Sequence, residues 1–406
     1  MSITFALIKE RKNPPDRRVV FSPKKCQEVI KQFSGARIIV EASDIRIFSD
    51  DDYRKAGFEV MEDVSEADVM LGVKEVSKEA LIPNKKYFFF SHTIKKQPYN
   101  RGLLQMVLEK NIQLFDHETI VNEWNRRLIG FGYYAGLVGA YNGFRALGLR
   151  DNIFELPKVE NLPDLTSVKA ELDKISLPPM KIVLSGSGKV TKGAKEILDH
   201  LKIREITTTE YLSQDYFNEA VYCVIRVADY NKRKDGGEFD KPEFYSNPSE
   251  YEGDFMKFAK TSDVFVSGHF YGEGAPFLFT REDAKHPDFR INLVSDISCD
   301  IDGPVACTIR ASTIANPFYG YNPQDESEVV FDAPGAITVM AVDNLPCELP
   351  KDASQGFGDM FLENVIPAFF DGDKEGILRR AQITTEEGML TPKYAYLRDY
   401  VEAVLK

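Results

Sequence analysis

Short apolar runs of strand length alternate with helix-period segments twice over in this chain, and that alternation limits the possible folds more than any other feature. Residues 3–8 form the first apolar run. Ser22 and Pro23 then open a helix, because serine caps a helix well and proline suits its first position. Val29, Ile30 and Phe33 give that helix an apolar face. Residues 36–40, 69–73, 87–90 and 112–115 read as further strands, with a helix over 103–108. A second series begins with a strand at 181–184 and a helix at 191–201, whose Ala194, Ile197, Leu198 and Leu201 share one side. Strands at 203–207, 264–266, 291–294 and 337–342 continue it. Strands separated by helices predict parallel sheets covered on both faces.

The two series are joined by a different kind of sequence. Over residues 126–149, Gly130, Gly132, Gly136, Gly139 and Gly143 recur among apolar residues, the last four at near-helical spacing. This predicts a long buried helix that packs closely against a neighbour and crosses between domains. Residues 151–179 carry Pro157, Pro163, Pro178 and Pro179 and read as a connector with one short helix. Residues 229–262 are polar and tyrosine-rich without a period, as in a surface insertion. The 406 residues allow two large domains at roughly 150 residues each, with slack.

Charge and cysteine usage exclude several classes. A net charge of −12 argues against nucleic acid as a partner, since phosphate backbones require a basic face. Small anionic substrates remain compatible, because a pocket can be locally basic. The five cysteines, Cys26, Cys223, Cys299, Cys307 and Cys347, form no C-x-x-C pair, so neither a disulfide framework nor a metal site is expected. Free thiols fit a reducing cytosol. The apolar start precedes Lys9, Arg11 and Lys12, the reverse of a signal peptide. No run approaches the ~20 apolar residues of a membrane helix. The expectation is a cytoplasmic protein that binds neither membrane nor nucleic acid.

A glycine-rich turn lies between the strand at 181–184 and the helix at 191–201. Gly186, Ser187, Gly188, Lys189 and Val190 form it. Glycines let a backbone approach a pyrophosphate, and the following helix offers N–H donors and a positive dipole end. Thr191 occupies the third position of G-x-G-x-x-G, and the next glycine is Gly193. NAD binders usually carry an acidic residue about 20 positions further on, for the ribose 2′-OH. Thr207, Thr208 and Thr209 stand there before any carboxylate. Arg226, Lys232, Arg233 and Lys234 are cations within reach of a 2′-phosphate. The reading favours NADP(H), with NAD(H) possible.

In open α/β sheets, ligands bind beyond the carboxyl ends of strands. In the first series those ends carry Arg17 and Arg18, then Lys74 and Glu75, then Ser91 and His92, then Asp116, His117 and Glu118. An arginine, a lysine, a histidine and a glutamate on one edge can hold a carboxylate substrate and move protons. His117, His200, His269 and His286 read as structural or surface residues, and no Ser-His-Asp triad is suggested.

At these residues a family resemblance emerges. Residues 16–23 (DRRVVFSP) resemble the opening motif of the alanine dehydrogenase, transhydrogenase and saccharopine dehydrogenase group. Residues 72–75 (GVKE) and 89–95 (FFSHTIK) are similar to its two active-site motifs, and 131–136 (FGYYAG) to its crossing helix. Within the group, residues 186–194, 295–300, 342–346 and 357–360 look like the lysine-ketoglutarate reductase half of bifunctional aminoadipic semialdehyde synthases.

The resemblance implies an α/β fold of two Rossmann-like domains with parallel sheets and an active-site cleft between them. Residues 1–130, joined by 345–406, would form the catalytic domain, and 131–344 the dinucleotide-binding domain. It implies an oxidoreductase that condenses lysine with 2-oxoglutarate and reduces the imine to saccharopine, or runs the reverse. Lys74 and His92 would be the acid–base pair. Arg18 would bind a substrate carboxylate, with Glu75, Lys95, Glu118 and Arg127 as further substrate contacts. Asp296, Asp343, Asn344 and Leu345 would join the glycine turn, Thr208 and Arg226 in holding the cofactor. The partners implied are small molecules, with a separate saccharopine-cleaving enzyme in the pathway, since the chain ends at Lys406. Two other readings stay open: an alanine dehydrogenase-like enzyme using ammonia, and a nucleotide-sensing or partner-binding protein without catalysis. Oligomeric state is not specified by these features.

Overall fold

The computed structural model describes residues 2–402. Residues 1 and 403–406, included in the expected first domain, lie outside that range. The chain divides into two compact units, Met1–Phe131 with Pro350–Lys406, and Gly132–Leu349. No helix among the described residues is long and apolar enough to cross a membrane.

The first unit is built on β1 (Ile3–Leu7), β2 (Ala36–Glu41), β3 (Glu59–Met61), β4 (Val69–Leu71), β5 (Lys86–Phe89) and β6 (Gln113–Asp116). They lie in the order β3-β2-β1-β4-β5-β6, every pair parallel. Helix α1 (Pro23–Gln32) starts where expected: Ser22 accepts a hydrogen bond from the amide of Lys25. Helix α2 (Asp50–Lys55), absent from the expected series, is set by a capping box between Ser49 and Asp52. Helix α3 (Arg101–Glu109) follows β5. Successive strand residues serve opposite faces. Phe88 packs on Phe361 and Phe369, while Phe89 joins Leu104 and Leu397 in a second cluster. A sheet buried on both sides is what parallel connections require. The C-terminal segment is part of this unit, and the Ile383 amide donates to the Leu114 carbonyl.

The second unit opens with α4 (Gly132–Asp151), which belongs to it entirely rather than crossing between units. It begins at Gly132 instead of near 126 because a bridge between Val121 and Arg127, then Gly130 at φ +154°, occupy that stretch. Helix α5 (Leu165–Leu172) is the expected short helix of the connector. Next come β7 (Met180–Ser185), α6 (Lys189–His200), β8 (Arg204–Glu205), α7 (Thr208–Ser213) and β9 (Ala220–Ile225). Then follow β10 (Asn231–Arg233), β11 (Tyr251–Gly253), β12 (Val264–Ser267), β13 (Leu293–Asp296), β14 (Phe318–Asn322), β15 (Ser327–Val329) and β16 (Ile337–Met340). The main sheet runs β15-β14-β16-β13-β12-β7-β9-β8. All its pairs are parallel except the hairpin β14–β15 and its seam with β16.

Three features differ from expectation. The strand expected at 203–207 contracts to the two-residue edge strand β8. Strand β9, missing from the expected series, takes the place beside β7. The segment 229–262 is more than surface: it folds as the β10–β11 hairpin with a short helix over Lys241–Ser246 and buries Tyr230, Phe244, Tyr251, Phe255 and Phe258. Its aromatic side chains supply a core that polarity and lack of period concealed.

The glycines of α4 behave as their spacing predicts. A Cβ at Gly136 would lie 2.0 Å from the Val190 carbonyl oxygen, and one at Gly193 would lie 1.9 Å from that of Tyr133. Helices α4 and α6 therefore meet backbone to backbone, which only glycine permits there.

Candidate active site

In the first unit the four adjacent strands β1, β4, β5 and β6 bring their carboxyl ends to one edge. Beyond β1, Arg18 is buried and makes a two-pronged pair with Asp16, Nη2 to Oδ2 at 2.6 Å and Nε to Oδ1 at 3.0 Å. Its guanidinium lies 4.2 Å over the Phe131 ring. Burial works to raise the Asp16 carboxyl, but Arg18 outweighs it and holds Asp16 well below the usual range.

Beyond β4, Lys74 and Glu75 are half-buried. The amides of Val73 and Lys74 donate to Glu10 at 2.6 and 2.9 Å. Glu75 pairs with Lys12 at 2.6 Å. Beyond β5, His92 adopts a left-handed backbone with φ 53°. Its Nε2 stands 3.8 Å from Glu75 Oε1 and its Nδ1 stands 3.5 Å from Glu118 Oε2. Beyond β6, Glu118 also pairs with Lys95 at 3.3 Å and Arg127 at 3.2 Å. Burial alone would raise the Glu118 carboxyl, but His92, Lys95 and Arg127 together hold it down to about 2.

His92 therefore sits between two carboxylates. Glu75 Oε1, His92 Nδ1 and Glu118 Oε2 are all buried and lack a hydrogen-bond partner among the described residues. Such a group can receive a cationic donor and pass a proton. His117, expected to be structural, is fully buried, with Nε2 2.8 Å from the Gly72 carbonyl oxygen. Sequence reasoning singled out no role for Glu10, Asp16 or Asp116. The available signal was a carboxylate at or near two of the four strand ends, Glu10 just past β1 and Asp116 closing β6.

The second unit holds the glycine turn between β7 and α6. Gly186 has φ +104°, and a Cβ there would lie 2.4 Å from the Gly268 carbonyl oxygen. Ser187, Gly188 and Lys189 are exposed, Val190 is half-buried, and nothing lies within 4 Å of a Cβ at Gly188. Helix α6 (Lys189–His200) has Gly188 as its N-cap, which offers no side-chain cap. The open backbone, the 12-residue helix and its uncapped N–H groups fit a dinucleotide pyrophosphate.

The other expected cofactor residues are distributed unevenly. The Gly186 amide donates to the Ile225 carbonyl at 2.9 Å, so Arg226, next in the chain, stands beside the turn. Arg226 is exposed and its guanidinium makes no ion pair among the described residues. Lys232 and Arg233 instead pair with acids of their own insertion, and Lys234 donates to the Ser249 carbonyl. Thr208 opens α7 beyond β8, one strand further from β7 than Arg226, because β8 and β9 exchange the usual places of second and third strands. Asp296 is fully buried, and its oxygens accept from Ser267, Ser298, Thr308 and the Cys299 amide. These donors fasten the end of β13. Asp343 is exposed and Asn344 half-buried beyond β16, whereas the Leu345 side chain packs in the core against Gly139.

Residues 6–138 match the family model "Alanine dehydrogenase/PNT, N-terminal domain". The matched residues take in the end of β1, all of β2 to β6 and the whole row of strand-end residues. Over 98% of its length the chain is 29% identical to the mitochondrial alpha-aminoadipic semialdehyde synthase of Mus musculus, and it spans 48% of that protein. It is 24% identical to the saccharopine dehydrogenase [NAD(+), L-lysine-forming] of Neurospora crassa, covering 93% of this chain and 94% of the relative. A solved L-alanine dehydrogenase superposes with a TM-score of 0.66 at 17% identity, over 98% of this chain and all of the other, and so shares the fold.

Proposed function

We propose that the chain is a nicotinamide-dependent oxidoreductase that joins L-lysine to 2-oxoglutarate reductively, forming saccharopine, or runs the reverse. The observation that carries this reading is His92 held between Glu75 and Glu118, on the strand end next to Lys74. The names of the relatives, an aminoadipic semialdehyde synthase and a lysine-forming saccharopine dehydrogenase, support the choice of substrates.

The reaction needs a neutral amine, a route for the proton that amine loses on attack, and a proton for the water that leaves. Unpartnered carboxylate oxygens of Glu75 and Glu118 suit an ammonium group arriving beside His92. Arg18, Lys95 and Arg127 suit the carboxylates of an oxo acid. Lys74 and His92 divide proton acceptance and donation, which two groups of different basicity can do at one pH. A bound nicotinamide supplies the hydride that reduces the imine carbon. In the second unit, Gly186, Ser187, Gly188, Lys189 and Val190 would hold its pyrophosphate, with Asp343, Asn344 and the Leu345 backbone as further contacts.

NADP(H) is the proposed cofactor. Arg226 stands where the ribose-side strand ends with its guanidinium open to a 2′-phosphate, while the neighbouring Asp229 carboxylate accepts from the Arg226 amide at 2.6 Å. The substrates are small molecules of lysine catabolism. The deciding experiment is a substrate matrix read at the nicotinamide absorbance. NADPH oxidation that requires lysine and 2-oxoglutarate together is expected. Equal rates with ammonia and pyruvate would leave an amino-acid dehydrogenase of broader type and remove the saccharopine assignment.

A further inference from the structure

We propose that two buried carboxylates, Glu10 and Asp116, are positioning residues that fix the backbone carrying Lys74 and His92. This rests on the reading of Lys74 and His92 as the acid–base pair.

The geometry is the same on both sides of the site. The sheet order places β1 and β6 outside β4 and β5. Lys74 follows β4 and His92 follows β5, so the pair occupies the two inner strand ends. Each outer strand end supplies one carboxylate to the inner end beside it. Glu10, past β1, takes the Val73 amide on Oε1 and the Lys74 amide on Oε2. Asp116, closing β6, takes the Ser91 and His92 amides on Oδ2 at 2.9 and 3.0 Å, and the Ser91 hydroxyl at 2.5 Å. Its Oδ1 takes the Glu118 amide at 2.7 Å, which also fixes the carboxylate facing His92.

Burying a carboxyl group is costly unless its oxygens are hydrogen-bonded, and both of these are. Glu10 is 7% exposed and Asp116 is fully buried. Burial and the charge of Asp16 drive the Glu10 carboxyl up to about 8, and the two amides and Arg18 offset this only in part. The return is rigidity. His92 holds a left-handed backbone that a residue with a Cβ adopts at a cost of about 1–2 kcal/mol, and Asp116 binds the amide on that very residue. Asp116 Oδ2 accepts both amides and the Ser91 hydroxyl, and so ties that conformation to the end of β6.

The test compares Glu10→Gln and Asp116→Asn with the unaltered chain. An amide in place of the carboxylate turns an acceptor toward a donor and frees one backbone N–H. The expected result is a kcat lowered about 10–100-fold, as misplacement of a reacting group produces, with both substrate KM values and dinucleotide affinity within about threefold. The second readout needs no substrate. With ring-labelled histidine, Asp116→Asn should move the His92 ring nitrogen resonances and leave those of His200 and His286 in place. If Asp116→Asn does not fold, Ser91→Ala loosens the same carboxylate and should shift the same resonances, with a smaller loss of kcat. Near-native kcat in both variants, kcat and KM changing together, or unmoved His92 resonances would each overturn the proposal. An unaltered chain that turns over neither lysine with 2-oxoglutarate nor ammonia with pyruvate would instead sink the functional reading, and the resonances alone would then decide the positioning role.

Discussion

His92 Nδ1 faces Glu118 Oε2 at 3.5 Å, and the other oxygen of that carboxylate is shared between Lys95 and Arg127. The histidine thus works against a carboxylate whose charge is held by two cations. Lys74→Met and His92→Gln should each lower kcat about 10²–10⁴-fold, the usual cost of losing a general acid or base. Dinucleotide affinity, measured by fluorescence titration, should hardly change, because the glycine turn belongs to the other unit. The double variant should lose less than the product of the single losses if both serve one proton transfer. Near-native turnover in either single variant would remove that residue from the mechanism.

Cofactor preference should follow Arg226 and not Thr208. Arg226→Glu should lower kcat/KM for NADPH at least tenfold relative to NADH, since one lost ion pair with a phosphate is worth about 1.4 kcal/mol or more. Thr208→Asp should leave the ratio nearly unchanged, because α7 begins one strand further out. A larger response at Thr208 than at Arg226 would show that the ribose lies over β8.

The contact between α4 and α6 should tolerate no side chain. Gly136→Ala and Gly193→Ala each drive a methyl into a backbone carbonyl that cannot rotate away. Each should cost more than about 3 kcal/mol in urea unfolding, at the upper end for overpacking. Gly102→Ala in α3 meets only the flexible end of Lys78, at 3.5 Å, and should change stability by less than about 1 kcal/mol. Equal small effects at all three positions would contradict the close approach.

His117 should make stability fall with acid. Burial lowers its ring from the ordinary 6.5 to about 4, and its hydrogen bond to the Gly72 carbonyl only partly opposes this. The unfolded chain takes up a proton on this ring from about pH 6.5 downward, while the folded one resists until about pH 4. Its contribution is therefore present above pH 6.5 and lost on the way to pH 4, by about 3 kcal/mol. Glu10, whose carboxyl is raised, favours the folded state in the opposite direction, so the wild-type curve alone is ambiguous. The measurement is the difference in unfolding free energy between wild type and His117→Gln at pH 7.5, 6, 5 and 4. The gap should close or reverse as pH falls, and a constant gap would show that the ring does not titrate in this way.

Much of this was legible in the sequence, for identifiable reasons. Apolar runs bounded by turn residues located five of the six strands of the first sheet, and so put Arg18, Lys74, His92 and Glu118 on one edge before any coordinates. Strand β3, three residues with none fully buried, carries no such signal. Gly136 could be read as a close-packing residue because glycines recurring at helical spacing in an apolar setting mark a close approach; its counterpart Gly193, read only as part of the glycine turn, could not. Strand order could not be read. Which of β8 and β9 sits beside β7 depends on long-range pairing, and a two-residue strand has almost no pattern to detect. The four internal donors of Asp296 could not be read, because a carboxylate at a strand end has the same sequence signature whatever it accepts from. Glu10 and Asp116 were passed over because a residue that acts through another's backbone has no chemistry of its own to recognise.

The exchange of β8 and β9 bears on how such proteins should be redesigned. Arg226 stands 38 positions after Gly188, whereas the customary interval of about 20 leads to α7 at the rim of the sheet. An engineer who counts along the chain from the glycine turn would edit α7, where the proposed ribose site beyond β9 predicts little change in preference. Distance across the sheet, one strand over from β7, is the coordinate that transfers to any chain with this order.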